Sequence, residues 1–257
     1  MNLRKLFLMS VLGVTVLLFA CREPGTAQVG QEELHTNTDH SLFNSILTDS
    51  VKDGVVDYGK IKARYPDLQT YLKSVAKIDR KKLSRDERLA LEINAYNAGI
   101  FNGVLSAGEI KSVNDVGRFF KKTTVIIGGE VLSLDGLENE SLRKLGDPRI
   151  HFAIVCASIS CPPLISKAYS AETLDEDLDR QARSFLADKS KNRLDREKGV
   201  FHLSMLFKWF TEDFTKESSS VLEYIQPFLS DEDREFVKSN KVKVKFLDYD
   251  WNLNGHF

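Results

Sequence analysis

Three side chains in one short stretch carry most of the chemical potential of this sequence. They are His151, Cys156 and Cys161, within Arg149-Ile150-His151-Phe152-Ala153-Ile154-Val155-Cys156-Ala157-Ser158-Ile159-Ser160-Cys161-Pro162-Pro163-Leu164. A histidine near a thiol is the smallest set that supports nucleophilic catalysis, the imidazole taking a proton and the thiolate attacking. The first half of the stretch is almost wholly apolar and reads as one buried strand, entering a loop closed by Pro162-Pro163. Side chains alternate along a strand, so His151 and Cys156, five residues apart, point to opposite faces. A dyad between them then needs a bulge or an early strand end, whereas Cys161 in the loop is freer to fold back. A disulfide between Cys156 and Cys161 asks less. It closes a small loop for a gain of about 2 kcal/mol, and it either shapes that loop or cycles in thiol exchange. The same three residues offer zinc ligands, but no Cys-x-x-Cys or His-x-x-x-His spacing accompanies them, so neither metal nor cofactor is expected.

The elements that must position this stretch can be read around it. Ser84-Arg85-Asp86-Glu87 is a capping box opening the longest helix, about residues 85 to 105. Leu89, Ile93, Tyr96 and Ile100 line one side, and Leu91, Ala95 and Ala98 make much of the rest apolar, which predicts a buried helix. Asn94 and Asn97 share a face of it, and a buried amide needs partners. They either brace neighbouring loops or line a site beside the central strand. Gly128-Gly129 between two β-rich runs predicts a hairpin, and Ser133 caps a helix running through Leu145. That helix carries Glu138 and Arg143, which with Arg149 form a candidate structural ion-pair set tying helix to strand.

Further along, Thr173-Leu174-Asp175-Glu176 opens another amphipathic helix, and Val200 to Leu203 reads as a strand. Ser204 caps a segment that gathers Trp209, Phe210 and Phe214, and Val242, Val244 and Phe246 alternate with lysines as an edge strand. Helices and strands are interspersed without regular alternation. This predicts a single α+β domain over residues 41–257, a mainly antiparallel sheet packed against the long buried helix and several amphipathic helices.

The start of the chain has a different character. Arg4 and Lys5 precede an apolar run from Leu6 to Phe19, one signal-peptide length and short for a membrane span. Leu18-Phe19-Ala20-Cys21 resembles a bacterial lipobox. The expectation is a signal peptide over 1–20, lipidation of Cys21, and a polar tether to residue 40 that anchors a soluble domain to an envelope membrane, facing the periplasm or exterior. Taking two cations with the leader from a net charge of −1 leaves −3, with no basic tract, so nucleic acid is not expected as a partner. Outside the cytoplasm, the two remaining thiols favour pairing.

Several motifs together resemble the bacterial "domain of unknown function 547" family. They are Val56-Asp57-Tyr58, Ile93-Asn94-Ala95-Tyr96-Asn97-Ala98, Leu132-Ser133-Leu134-Asp135 with Glu138, Arg143, and Pro148-Arg149-Ile150-His151-Phe152-Ala153. Cys156-Ala157-Ser158 with Cys161-Pro162, Trp209 with Asp213-Phe214, and Tyr249-Asp250-Trp251-Asn252-Leu253-Asn254 complete them. The resemblance spans about residues 41 to 257, and the family carries no settled activity. Leu91-Glu92 and Asn139 depart from its pattern. A looser likeness links His151-Phe152-Ala153-Ile154-Val155 to the histidine strand of papain- and transglutaminase-like cysteine enzymes, though the buried helix has no cysteine. Two function classes follow. One is a non-catalytic binding or assembly lipoprotein, its disulfide loop contacting an unknown protein or peptide, and strand alternation favours it. The other is a cysteine hydrolase, transferase or thiol-redox enzyme using His151 with Cys161 or Cys156 and an asparagine, Asn97 or Asn94.

Overall fold

The structure, a computed structural model, describes residues 34–257, so the leader and Cys21 lie outside the described residues. Two residues of the expected tether contact the domain. His35 pairs with Ile78 as a bridge, and the His40 ring is hydrogen-bonded to the Tyr71 hydroxyl at 2.9 Å.

At the centre runs the helix Arg85–Ala107, opened by the Ser84–Glu87 capping box. From Leu89 to Phe101 every residue is buried, so its apolar side chains are almost wholly removed from water. At about 1.5–3 kcal/mol for each large side chain, this helix organises the first core. Gly99 allows the closest approach. A Cβ there would lie 2.6 Å from Val125 and 2.8 Å from Leu134, which seats both the hairpin and the next helix on its surface. Helices Ser41–Ser50 and Tyr65–Val75 cover another side, with Phe43 stacked on Tyr71.

The α+β class is as expected, but the strands do not form one sheet. Val51–Lys52 and Val55–Asp57 form a hairpin that Gly255–His256 joins in parallel. Thr124–Ile127 and Glu130–Ser133 make the Gly128-Gly129 hairpin. Arg193–Asp195, Val200–Leu203 and Lys243–Phe246 form a third small sheet whose last pair is also parallel. Among the described residues no helix is long and apolar enough to cross a membrane.

The largest departure from the sequence pattern concerns the central stretch. Pro148–Phe152 is a 3-10 helix, not a strand. Asp147 caps it, accepting from the Arg149 N–H at 3.0 Å, and Pro148 sits in its first turn, where a missing N–H costs nothing. Asp-Pro therefore starts a helix as well as ending the preceding one, and this local chemistry overrides the apolar run. The segment lies at the seam of two apolar clusters. Ile150 and Ala153 belong to the core around the long helix. Phe152 turns into a second core built by helix Leu174–Ala187 and the short helices Leu206–Trp209 and Thr211–Phe214.

Candidate functional site

With the strand gone, the alternation that separated His151 from Cys156 goes too. His151, Cys156 and Cys161 line one cavity of about 230 Å³, together with Glu138, Tyr249 and Trp209.

His151 is 1% exposed and held on three sides. Its ring stacks on Phe210 at 3.8 Å between centroids, Phe214 meets it edge-on, and Nε2 shares a 2.7 Å hydrogen bond with Asp213. Arg143 grips the same carboxylate with two nitrogens, at 2.6 and 2.9 Å. This fork and His151 outweigh burial and hold the Asp213 carboxyl far below the usual carboxylate range. An ionised Asp213 fixes the proton of His151 on Nε2. Burial pushes the imidazole pKa down, against the pull of Asp213, so the ring is neutral at neutral pH. Nδ1 then carries a free lone pair. It is buried and has no hydrogen-bond partner, with Glu138 Oε1 4.0 Å away.

The thiol side is equally specific. Cys156 Sγ lies 2.8 Å from Ser158 Oγ and 3.1 Å from the Tyr249 hydroxyl. Burial alone raises a thiol pKa. Here it is outweighed by hydrogen bonds from the Cys161 thiol, Ser158 and Tyr249, which bring Cys156 down to about 7. Burial and the neighbouring Cys156 push Cys161 well up, and Tyr249 is raised for the same reasons, so both stay protonated as donors. The pair thus carries at most one negative charge, and it falls on Cys156. Glu138 lies beside it, accepting from the Tyr96 hydroxyl at 3.2 Å, and burial lifts its pKa to about 7.

The backbone that carries these groups is pinned from two directions. Asn97 donates to the Ala153 carbonyl and accepts from the Val155 N–H, both at 3.0 Å. Asn94 clamps Tyr169 in the same two-way manner. Neither asparagine lines the cavity, so the expectation of a catalytic role is corrected and both brace backbone. On the other side, Ala157 takes a left-handed φ of 59° and its carbonyl accepts from Asn254 at 2.9 Å. Ile159 and Ser160 donate to Asn252 and Asp250. The loop between the cysteines is thus folded onto residues 249 to 254, which delivers Tyr249 to the sulfur.

Two further expectations change. Cys156 and Cys161 are free thiols, not a disulfide, and the Cys156 N–H donates to Cys161 Sγ at 2.9 Å. The expected ion-pair set also divides. Arg149 is structural, bonding Asp147, Asp175 and Asp179 at 2.6–2.9 Å. Arg143 holds Asp213, and Glu138 faces the cavity rather than either arginine. The buried ion cluster lies elsewhere, where Glu92 accepts from Arg80 and Arg88, each at 2.9 Å. Among the described residues, no group of three or more His, Cys, Asp or Glu side chains is placed to hold a metal ion. Sequence reasoning assigned no role to Asp213, Tyr249, Trp209 or Trp251. Their signal is their place in the motifs Trp209…Asp213-Phe214 and Tyr249-Asp250-Trp251, whose residue types alone specify no chemistry.

Taken together, these groups form a cysteine–histidine–aspartate constellation on an α+β fold. The chain resembles a family of unknown function: the model described as "Protein of unknown function, DUF547" matches residues 80–186. That span includes His151, Cys156, Cys161 and Glu138 but ends before Asp213 and Tyr249. No curated protein and no solved structure matches.

Proposed function

We propose that this chain is an acyl-transfer enzyme of the cysteine hydrolase or transferase type, with Cys156 as nucleophile, His151 as base and Asp213 as the residue that positions His151. One observation carries the reading: an ionisable, hydroxyl-solvated thiol and a histidine whose Nδ1 is buried without a partner line the same cavity. The thiolate needs no help from His151, since Ser158, Tyr249 and Cys161 stabilise it. It adds to the carbonyl carbon of an ester or amide, forming the S–C bond. As the C–O or C–N bond breaks, the leaving group takes the Glu138 proton, available because that carboxyl is half protonated near neutrality. The acceptor then attacks the thioester, giving its proton to His151 Nδ1, and the thiolate departs. That proton passes on to Glu138 and restores the resting state.

The test is iodoacetamide alkylation followed by mass spectrometry across pH 5 to 10. Cys156 should react with a midpoint near pH 7, and Cys156→Ser should leave no fast-reacting thiol. A midpoint in the ordinary thiol range, about 8.5, sinks the reading.

The same proposal places the domain on an envelope membrane through a cleaved leader and a lipidated Cys21, supported by Arg4, Lys5, the apolar run to Phe19 and Leu18-Phe19-Ala20-Cys21. Labelling with a palmitate analogue, abolished by Cys21→Ala, checks it. A second reading is a binding or assembly lipoprotein for a protein or peptide. Ile159, 44% exposed on the loop between the cysteines, favours it. It predicts that Cys156→Ser leaves function in cells intact.

A further inference from the structure

The cavity has a one-sided charge that the acyl-transfer reading uses only for proton transfer at Glu138. Its charged side chains are Asp135 and Glu138, and no lysine or arginine is among its lining residues. Arg143 approaches from behind Phe210, 5.4 Å from that ring, and its guanidinium is committed to Asp213 and Asn139. Much of the remaining wall is aromatic. Trp209, Tyr249 and Trp251 pack against one another with centroids 4.7 to 5.7 Å apart, and Trp209 stays 44% exposed. Carboxylates and aromatic rings together attract a cation, and they repel a carboxylate or phosphate. His151 lines the same cavity, and its buried, partnerless Nδ1 lies 4.0 Å from Glu138 Oε1.

We propose that this cavity binds a primary alkylammonium group at Glu138, and that this amine is the acceptor of the acyl group carried by Cys156. The second half rests on the acyl-transfer reading. Once Glu138 has given its proton to the leaving group, it is a carboxylate, and Cys156 is a neutral thioester. The ammonium then finds its counter-charge at Glu138 alongside Nδ1. One N–H proton first returns to Glu138 and frees the nitrogen lone pair. As that nitrogen forms the new C–N bond, a second N–H proton passes through His151 Nδ1 to solvent. The C–S bond breaks and its electron pair regenerates the thiolate. No oxidant or reductant is required.

The two tryptophans of the chain, Trp209 and Trp251, both line this cavity, so their fluorescence reports its occupancy. The probe is 1,5-diaminopentane, titrated into Cys156→Ala, which lacks the thiolate as the acyl form does. Pentane-1,5-diol and glutarate serve as uncharged and anionic controls of the same length. Saturable binding of the diamine is expected, weakened tenfold or more by adding Glu138→Gln, with neither control binding. Equal binding of the diol, or a preference for glutarate, overturns the proposal, and so does an unchanged affinity in the Glu138→Gln variant. A thermal melt establishes that each variant is folded, and the three-probe comparison in Cys156→Ala stands without the Glu138 variant. The alkylation profile separates the two readings. Diamine binding beside an unreactive Cys156 removes the acceptor role. A reactive Cys156 with no diamine binding leaves acyl transfer standing and ends the amine assignment.

Discussion

Tyr249 and Ser158 set the charge on Cys156, while Asp213 sets the tautomer of His151, so the two halves of the site are separable by substitution. Tyr249→Phe removes one donor from the sulfur and should raise the alkylation midpoint by about one pH unit. Asp213→Asn should leave that midpoint nearly unchanged. It should lower hydrolysis of a p-nitrophenyl ester by roughly 10²–10⁴-fold, because the imidazole loses the partner that keeps its proton on Nε2. Glu138 makes a stability prediction. Its folded pKa, about 7, lies above its ordinary 4.5, so the native state holds this proton more tightly than the unfolded chain. The resulting stabilisation is full below pH 4.5 and is lost as pH rises through 7. Glu138→Gln should therefore gain stability relative to wild type between those values, by up to about 3 kcal/mol, read from urea unfolding at several pH values. At this scale the sequence is a partial guide. Residue type alone picks out His151, Cys156 and Cys161. Asp213 gains its meaning only from a contact made 62 residues away, so a lone aspartate among aromatics looks unremarkable.

The elements that hold the site do so through backbone, which gives their substitutions a different signature. Asn97→Ala strands the Ala153 carbonyl and the Val155 N–H inside the protein and should cost about 2–4 kcal/mol in urea unfolding. Asp at this position is no rescue, since it can accept from Val155 but cannot donate to Ala153 as a carboxylate. Ala157, at φ 59°, should accept Gly with little change and lose about 2 kcal/mol with Val, because a β-branched side chain fits the left-handed region poorly. The boundaries of the capping-box helix and the Gly-Gly hairpin are legible from local chemistry. The segment after Asp147 is not, because an apolar run fits a strand and a buried 3-10 helix equally well. Asp-Pro was the available signal, since aspartate is a favoured cap and proline a favoured first residue of a helix.

Over the whole molecule, the site is a seam property. Tyr96 and Glu138 come from elements of the first core, His151 and Cys156 from the segment between the cores, Asp213 from the helix Thr211–Phe214 of the second core, and Tyr249 from the C-terminal segment. Its geometry depends on both cores being folded, so loss of the fast-reacting thiol in urea should coincide with loss of far-UV circular dichroism. An earlier loss of reactivity would show instead that residues 249 to 254, the strap across the cysteine loop, open on their own. The α+β class is legible from interspersed elements, but the splitting of the strands into three small sheets is not, since the two parallel pairings, Val56 with Gly255 and Val200 with Lys243, join strands far apart in sequence. The strap itself has a consequence for timing. Tyr249 lies 93 residues after the sulfur it solvates. During synthesis Cys156 leaves the ribosome as an ordinary, weakly ionised thiol, and its pKa falls only when the segment through Asn254 has been made and has docked. A nascent chain is thereby spared its own ionised sulfur.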